Sequence, residues 1–165
     1  MKYELTNEVK EYNGITLHRI KATKNFGSVN AGDLGGWIES EDNLSQGNNA
    51  WVYGNAKVYG NAKVYGNAEV CDDAEVYDDA EVYGNAEVCG NAKVCDDADY
   101  IVFKNWWSSG RHFTWTKTNN KWKVGCFHGS GEELIKKAYA DSERSGREYE
   151  RSVRYVEQIL SENVV

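Results

Sequence analysis

Aromatic and basic side chains concentrate in one stretch near the C-terminus, and they are the residue types that could hold a ligand. Four tryptophans lie between positions 106 and 122, with Arg, His and Lys residues among them. Indole faces stack on planar rings, and Arg or Lys pairs with phosphate oxygens. The combination suits a nucleotide-type ligand, and the candidate binding residues are Trp106, Trp107, Ser109, Arg111, His112, Trp115, Lys117 and Trp122. The competing interpretation is that these tryptophans only pack the fold.

Residue types that perform catalysis are sparse. The three histidines, His18, His112 and His128, all lie outside residues 50–99. The four cysteines, at positions 71, 89, 95 and 126, have no zinc-site spacing among themselves or with histidine. Histidine is the commonest general base in enzymes. We therefore predict a non-enzymatic protein with no catalytic residue, no cofactor and no metal site, and with cysteines that stay reduced.

A six-residue repeat occupies the middle of the chain. It must support the C-terminal segment that carries the candidate binding residues. From position 50 the sequence reads AWVYGN, AKVYGN, AKVYGN, AEVCDD, AEVYDD, AEVYGN, AEVCGN and AKVCDD. Alternate residues of a strand share a face, so Ala and Val point inward, whereas Lys, Glu, Tyr and Cys point outward. The Gly-Asn and Asp-Asp pairs suit sharp corners. Three repeats then close one triangular coil of about eighteen residues.

This pattern resembles the hexapeptide-repeat proteins that fold as left-handed parallel β-helices. The resemblance implies a mainly β fold of about three to four coils, with an N-terminal β-hairpin cap and a C-terminal α+β cap. Residues eighteen positions apart should stack in outward ladders: Tyr53, Cys71 and Cys89; Tyr59, Tyr77 and Cys95; Tyr65, Tyr83 and Ile101. The Cys71–Cys89 neighbours are compatible with a disulfide on oxidation, although we expect the reduced pair.

Three segments follow from these patterns: a hairpin cap at 1–31, the β-helix at 32–99 and an α+β module at 100–165. Ile38 and Leu44 keep the six-residue spacing, and the longer step to Val52 implies a two-residue bulge. In the module we predict three strands and two helices, and an apolar face that covers the last coil. The strands are 100–106, 111–117 and 121–127; the first helix begins with a Ser130–Glu133 capping box, and the second runs from about 146 to 162.

Charge is distributed unevenly over a net total of −7. Residues 1–49 carry −2, residues 50–99 carry −8 and residues 100–165 carry +3. The acidic balance disfavours bulk nucleic-acid binding, and neither a membrane helix nor a signal peptide is visible, so we expect a cytoplasmic protein. The Asp-Asp corners at 72–73, 78–79 and 96–97 are interpreted as a solvated acidic edge, with a Ca²⁺ site and nucleic-acid mimicry as alternatives.

Two further motifs resemble small hexapeptide-repeat proteins common in phages and prophages of low-GC Gram-positive bacteria. They are Gly-Asp-Leu-Gly-Gly-Trp-Ile at 32–38 and Gly-Cys-Phe-His-Gly at 125–129. The resemblance implies counter-defence in the infected host cell, by sequestering a nucleotide-type immune signal or by blocking a host defence protein. Two alternatives are a phage structural or assembly spacer and a hexapeptide acyltransferase, the latter disfavoured because the repeat lacks histidine. Exposed tyrosine ladders also favour a homo-oligomer, a dimer or trimer.

Overall fold

The computed structural model describes residues 1–163, and its centre is a β-solenoid of about three turns. Each six-residue repeat contributes one short strand followed by a corner. The eight strands are β4 (Trp51–Val52), β5 (Lys57–Val58), β6 (Lys63–Val64), β7 (Glu69–Val70), β8 (Glu75–Val76), β9 (Glu81–Val82), β10 (Glu87–Val88) and β11 (Lys93–Val94). The fold is mainly β with stacked parallel coils, as the repeat predicts.

The pairing register is the one that the period predicts. Each of the strands β4 to β8 pairs in parallel with the strand eighteen residues further on, as in Val52 with Val70 and Val70 with Val88. Three faces result: β4–β7–β10, β5–β8–β11 and β6–β9. The repeat Ala residues from 50 to 92 and the Val residues from 52 to 94 are at most 1% exposed. The last alanine of the series, Ala98, is an exception, because it lies exposed in a 3₁₀ turn at Asp97–Asp99.

The first coil contains the predicted insertion. Strand β3 (Leu34–Ile38) pairs in parallel with β5, and Ile38 lies opposite Val58, a separation of twenty residues rather than eighteen. Leu44 bridges to Val64 at the same separation. The two extra residues therefore lie between Leu44 and β4, where the sequence places the bulge.

The N-terminal hairpin extends the solenoid as well as covering it. Strands β1 (Tyr3–Tyr12) and β2 (Ile15–Ala22) turn at Asn13 and Gly14, both with positive φ. Strand β2 pairs antiparallel with β3, so the hairpin continues the β3–β5–β8–β11 sheet. Its Tyr3 and Ile20 side chains join the Ala-Val core. The hairpin thus closes the first coil with apolar side chains.

Side-chain donors satisfy carbonyls at this end of the solenoid. The buried Lys2 ammonium donates to the Ala50 carbonyl over 2.6 Å, and Asn43 Nδ2 donates to the Ala62 carbonyl over 2.9 Å. Burial lowers the pKa of Lys2 from 10.5 to about 8. Because buried carbonyls need donors, these two side chains replace the coil that would otherwise precede.

Side-chain acceptors satisfy amides at the opposite end. The backbone N–H groups of Glu81, Glu87 and Lys93, one from each face, donate to Asp97 Oδ1, Thr114 Oγ1 and Thr118 Oγ1 over 3.0, 2.9 and 2.7 Å. The predicted apolar cover is therefore only part of the contact, in which Tyr100 and Val102 pack against the solenoid core. Polar acceptors are required because the last coil's outward N–H groups have no following coil.

The C-terminal module contains four strands rather than the predicted three. These are β12 (Tyr100–Lys104), β13 (His112–Thr116), β14 (Lys121–Val124) and β15 (Phe127–Gly129), in one antiparallel sheet in that order. The prediction merged the last two strands. A turn at Gly125 and Cys126, with Gly125 at φ +55°, folds the chain back so that Val124 pairs with Phe127.

Two helices pack on this sheet, α1 (Gly131–Asp141) and α2 (Glu143–Glu162). Ser130 caps α1 by accepting from the Glu133 N–H, and Ser142 caps α2, which begins earlier than predicted. Glu132 in the first turn of α1 pairs with Arg154 of α2 at 2.6 Å, which joins the two helices. Within residues 1–163, neither helix is long and apolar enough to cross a membrane.

Candidate functional site

The loop between β12 and β13, residues 105–111, carries the densest group of predicted site residues. Its ends are joined by the Asn105 N–H donating to the Arg111 carbonyl over 2.8 Å, and the Gly110 N–H donates back to the Asn105 carbonyl over 2.8 Å. Gly110 has φ +72°, a conformation that glycine adopts without a Cβ penalty. The Arg111 N–H donates to Ser109 Oγ over 3.2 Å. These hydrogen bonds give the loop one defined shape.

Trp107 fastens the loop to helix α2. Its ring lies edge-on to Tyr149, with 4.9 Å between ring centroids, and its Nε1 donates to Ser145 Oγ over 3.3 Å. Asn105 is buried beside it, and its Nδ2 donates to the Tyr149 hydroxyl over 3.3 Å. Burial raises the pKa of Tyr149, so this phenol stays protonated at neutral pH. Trp107 is thus a packing residue, and by anchoring the loop it fixes the position of the adjacent Trp106.

Trp106, the residue before Trp107, points into solvent. It is 65% exposed, the largest exposed aromatic side chain among residues 1–163. The Arg144 guanidinium at the start of α2 lies over its ring at 5.6 Å from the centroid, a cation–π arrangement. We call Trp106 and Arg144 the Trp106 surface.

Trp115 and Trp122, which are among the candidate ligand-binding residues predicted from the sequence, do not take part in this surface. They are 2% and 1% exposed and lie opposite each other on β13 and β14. Trp115 Nε1 donates to Asn120 Oδ1 over 2.8 Å, and Trp122 packs against Phe103 and Phe113. Both rings belong to the module's core. Trp115 is two residues from Phe113 on β13 and therefore shares its inward face, and Trp122 lies opposite Trp115 on β14.

The remaining predicted residues lie in different directions. Arg111 is exposed and lies against Gly125, whereas half-buried His112 lines a concavity of about 460 Å³ with Tyr83 and Tyr100. Lys117 is exposed beyond the far end of β13, about 20 Å from Arg111 along the strand. The structure therefore groups Trp106, Trp107 and Ser109 on one loop and separates Lys117 from them.

A second concavity, which we call the Cys71 cleft, lies between the β4–β7–β10 face and the module. It has a volume of about 550 Å³ and is lined by Tyr53, Gly54, Asn55, Glu69, Cys71, Asp72, Asp73 and Lys123. Cys71 is bonded to Cys89 in a disulfide, so the expectation of reduced cysteines was wrong for this pair. Stacking holds their Cα atoms 4.6 Å apart, within the range that a disulfide requires.

Charged groups surround this disulfide. Glu69 and Glu87 stack on the same face, two residues before each cysteine. Burial, followed by the nearby Glu69 carboxylate, raises the pKa of Glu87, while Lys123 and Arg111 oppose that shift. His128 packs against Gly90, and burial lowers its pKa. The eighteen-residue ladder signals the Glu69–Glu87 stack in the sequence, but nothing in the sequence signals the approach of His128.

The stacked acidic corner, at Asp78–Asp79 and Asp96–Asp97, lines a concavity of about 640 Å³. Protein donors occupy several of these carboxylates. Asp79 accepts from Asn61 Nδ2 over 2.9 Å, Asp96 accepts from the Ala98 N–H over 2.9 Å, and Asp97 accepts from the Glu81 N–H over 3.0 Å. These contacts give the corner a structural role in closing the last coil.

Sequence reasoning missed the α2 residues that build the Trp106 surface. Arg144, Ser145 and Tyr149 lie about forty residues beyond the loop that they contact. The available signal was the exposed first turn of an amphipathic helix, which does not specify a contact partner.

Comparisons with known proteins add no further identification of this capped β-solenoid. The chain matches no protein-family model, and a search of curated proteins found no match.

Proposed function

We propose that the protein is a non-enzymatic, phage- or prophage-encoded inhibitor of the left-handed hexapeptide-repeat type, which binds a host protein through the Trp106 surface. The observation that carries the proposal is the 65% exposed Trp106 on a hydrogen-bonded loop, with Arg144 over its ring. Trp and Arg dominate the energetics of protein interfaces. A contact whose shape is fixed before binding also loses less conformational entropy on association.

The charge distribution supports a partner with an acidic patch. Residues 100–165 carry a net charge of +3, whereas the adjoining repeat carries −8. The positive segment therefore attracts acidic surfaces, and the repeat repels them. This asymmetry orients the protein with its C-terminal module toward the partner.

Burial of Trp115 and Trp122 favours a protein partner over a sequestered nucleotide. A base is held best when aromatic faces are available to it, and these two rings are at most 2% exposed. Only Trp106 offers a large exposed indole within residues 1–163. A single exposed ring flanked by an arginine matches a protein hot spot more closely than a nucleotide cage.

Capping at both ends disfavours the alternative function of a phage spacer. Lys2 and Asn43 occupy carbonyls at one end, and Thr114, Thr118 and Asp97 occupy amides at the other. Solenoids that extend by stacking need free coil edges, whereas these edges already have partners.

The test is affinity capture from lysates of low-GC Gram-positive bacteria, followed by calorimetry with the purified partner. Trp106→Ala should weaken binding by at least about 2 kcal/mol, roughly 30-fold, and Arg144→Ala should also weaken it. The matched control is Tyr83→Ala, which removes another exposed aromatic, 48% accessible, from the solenoid.

Two outcomes oppose the proposal. One is a partner that binds Trp106→Ala as tightly as it binds the unaltered protein. The other is a Trp106-dependent thermal stabilisation by a member of a panel of cyclic oligonucleotides and ADP-ribose derivatives, which would assign the surface to a nucleotide instead.

A further inference from the structure

The Cys71–Cys89 pair is held together by the solenoid as well as by its own bond. The two residues occupy equivalent positions in consecutive coils, and their strands pair in register, Glu69 with Glu87 and Val70 with Val88. Their Cα separation of 4.6 Å is close to the normal spacing of neighbouring strands, about 4.8 Å. Reduction of the disulfide therefore leaves two thiols side by side.

A third ligand-type group lies beside the two sulfur atoms. Cys71, Asp72 and Cys89 each offer one atom, a sulfur or a carboxylate oxygen, within 4.8 Å of the others. The Asp72 carboxylate is oriented by the Gly90 N–H, which donates to Oδ2 over 2.9 Å. Two thiolates and a carboxylate are ligands that Zn²⁺ accepts in proteins, and thiolates select it over Mg²⁺ or Ca²⁺.

The Cys71 cleft gives this group access to solvent. Cys71 and Asp72 line the cleft, whereas Cys89 is 2% exposed and lies behind them. The Glu69 and Asp73 carboxylates line the same cleft together with the Lys123 ammonium, so negative charge predominates there and favours a cation. An ion entering from the cleft would therefore meet Cys71 and Asp72 first, with the Cys89 sulfur within 4.8 Å of both ligand atoms.

We propose that reduction of the Cys71–Cys89 disulfide creates a Zn²⁺ site formed by Cys71, Cys89 and Asp72, with water as the fourth ligand. A dithiol reductant supplies two electrons and two protons: the S–S bond breaks, both cysteines become thiols, and the reductant becomes a disulfide. Zn²⁺ then displaces both thiol protons to solvent as the two Zn–S bonds form. This site is independent of the Trp106 surface.

The test uses the full chain carrying Cys95→Ser and Cys126→Ser, which removes the two free cysteines. The protein is reduced with dithiothreitol, freed of reductant anaerobically and titrated with Co²⁺, which Zn²⁺ then displaces. We expect one equivalent to give a thiolate-to-cobalt charge-transfer band together with tetrahedral d–d bands. The oxidised protein should give neither.

Asp72→Asn is the discriminating variant. Asparagine tolerates the Asp72 backbone at φ +59° and keeps an acceptor for Gly90, but it lacks the charge. We expect it to weaken Co²⁺ and Zn²⁺ binding by at least about tenfold, because a neutral amide oxygen is a poorer ligand for these ions than a carboxylate. Asp78→Asn is the matched control, since Asp78 has φ +55° at the next corner and should leave binding unchanged.

The proposal is overturned if the reduced protein binds Co²⁺ no more tightly than a Cys71→Ser variant does. It is also overturned if Asp72→Asn binds as tightly as the parent, because the cysteines alone would then account for the affinity. A circular dichroism spectrum of each variant under the reducing conditions of the titration confirms that the fold is retained.

Discussion

Thr114→Val tests how the module closes the solenoid. Thr114 is fully buried, and its Oγ1 accepts the Glu87 N–H over 2.9 Å. Valine has nearly the same shape but no acceptor, so the half-buried Glu87 amide loses its partner beside a side chain that is fully buried. An unsatisfied buried donor costs about 1–3 kcal/mol, and we expect the free energy of unfolding to fall by that amount.

Thr118→Val is the matched comparison, because it removes the same kind of contact from an exposed position. The Lys93 N–H donates to Thr118 Oγ1 over 2.7 Å, but Thr118 is exposed and water can replace the lost acceptor. We expect a loss below about 0.5 kcal/mol.

Urea unfolding gives both values, and hydrogen exchange reports the Glu87 amide directly. Faster exchange at Glu87 in Thr114→Val, but not in Thr118→Val, is the expected local signature. Equal costs for the two substitutions would refute the assignment of Thr114 as the acceptor that closes this face.

Three further outcomes follow from single side chains. Gly146→Ala should destabilise the protein by about 1 kcal/mol despite better helix propensity, because an added Cβ would overlap the Tyr139 ring. In a Tyr139→Ala background the same change should stabilise the protein, and urea unfolding measures both effects. Val76→Ala, at a fully buried core position, should lower the free energy of unfolding by about 2 kcal/mol in the same assay. The free energy of unfolding of the unaltered protein, minus that of a Lys2→Met variant, should increase as pH rises above about 8. The increase should be at most about 1.4 kcal/mol per pH unit.

The sign of the Lys2 effect follows from proton binding. Its pKa is about 8 in the folded chain and 10.5 in the unfolded chain, so between those values the unfolded chain binds more protons. Folding is then favoured as pH rises through this window. A stability difference between the two proteins that stays constant from about pH 7.5 to 9.5 would contradict the lowered pKa.

The solenoid could be predicted because one physical pattern recurs in every repeat. Ala and Val, two residues apart, define an inward face, and the corner residues fix the coil length, so even the insertion before β4 is visible as a changed spacing. The module lacks such repetition. Its strand ends depend on tertiary contacts, and the positive φ of Gly125 split one predicted strand into two.

The candidate site was only partly predictable for the same reason. The sequence marks Trp106 and Trp107 as neighbours, and an extended strand through them would place the two rings on opposite faces. The structure instead ends β12 at Lys104 and places both in a turn, where Trp107 reaches Tyr149 and Trp106 remains exposed. The difference in exposure between Trp106 and Trp107 arises because α2 packs against the Trp107 ring. No local sequence pattern indicates that contact between α2 and the loop.

Hydrogen exchange on the complex with the captured partner tests the proposed binding surface most directly. The proposal predicts slower amide exchange in the 105–111 loop and in the first turn of α2, which begins at Glu143, with the β6–β9 face unchanged. Protection confined to the solenoid faces, with the loop exchanging as in the free protein, would contradict binding through Trp106.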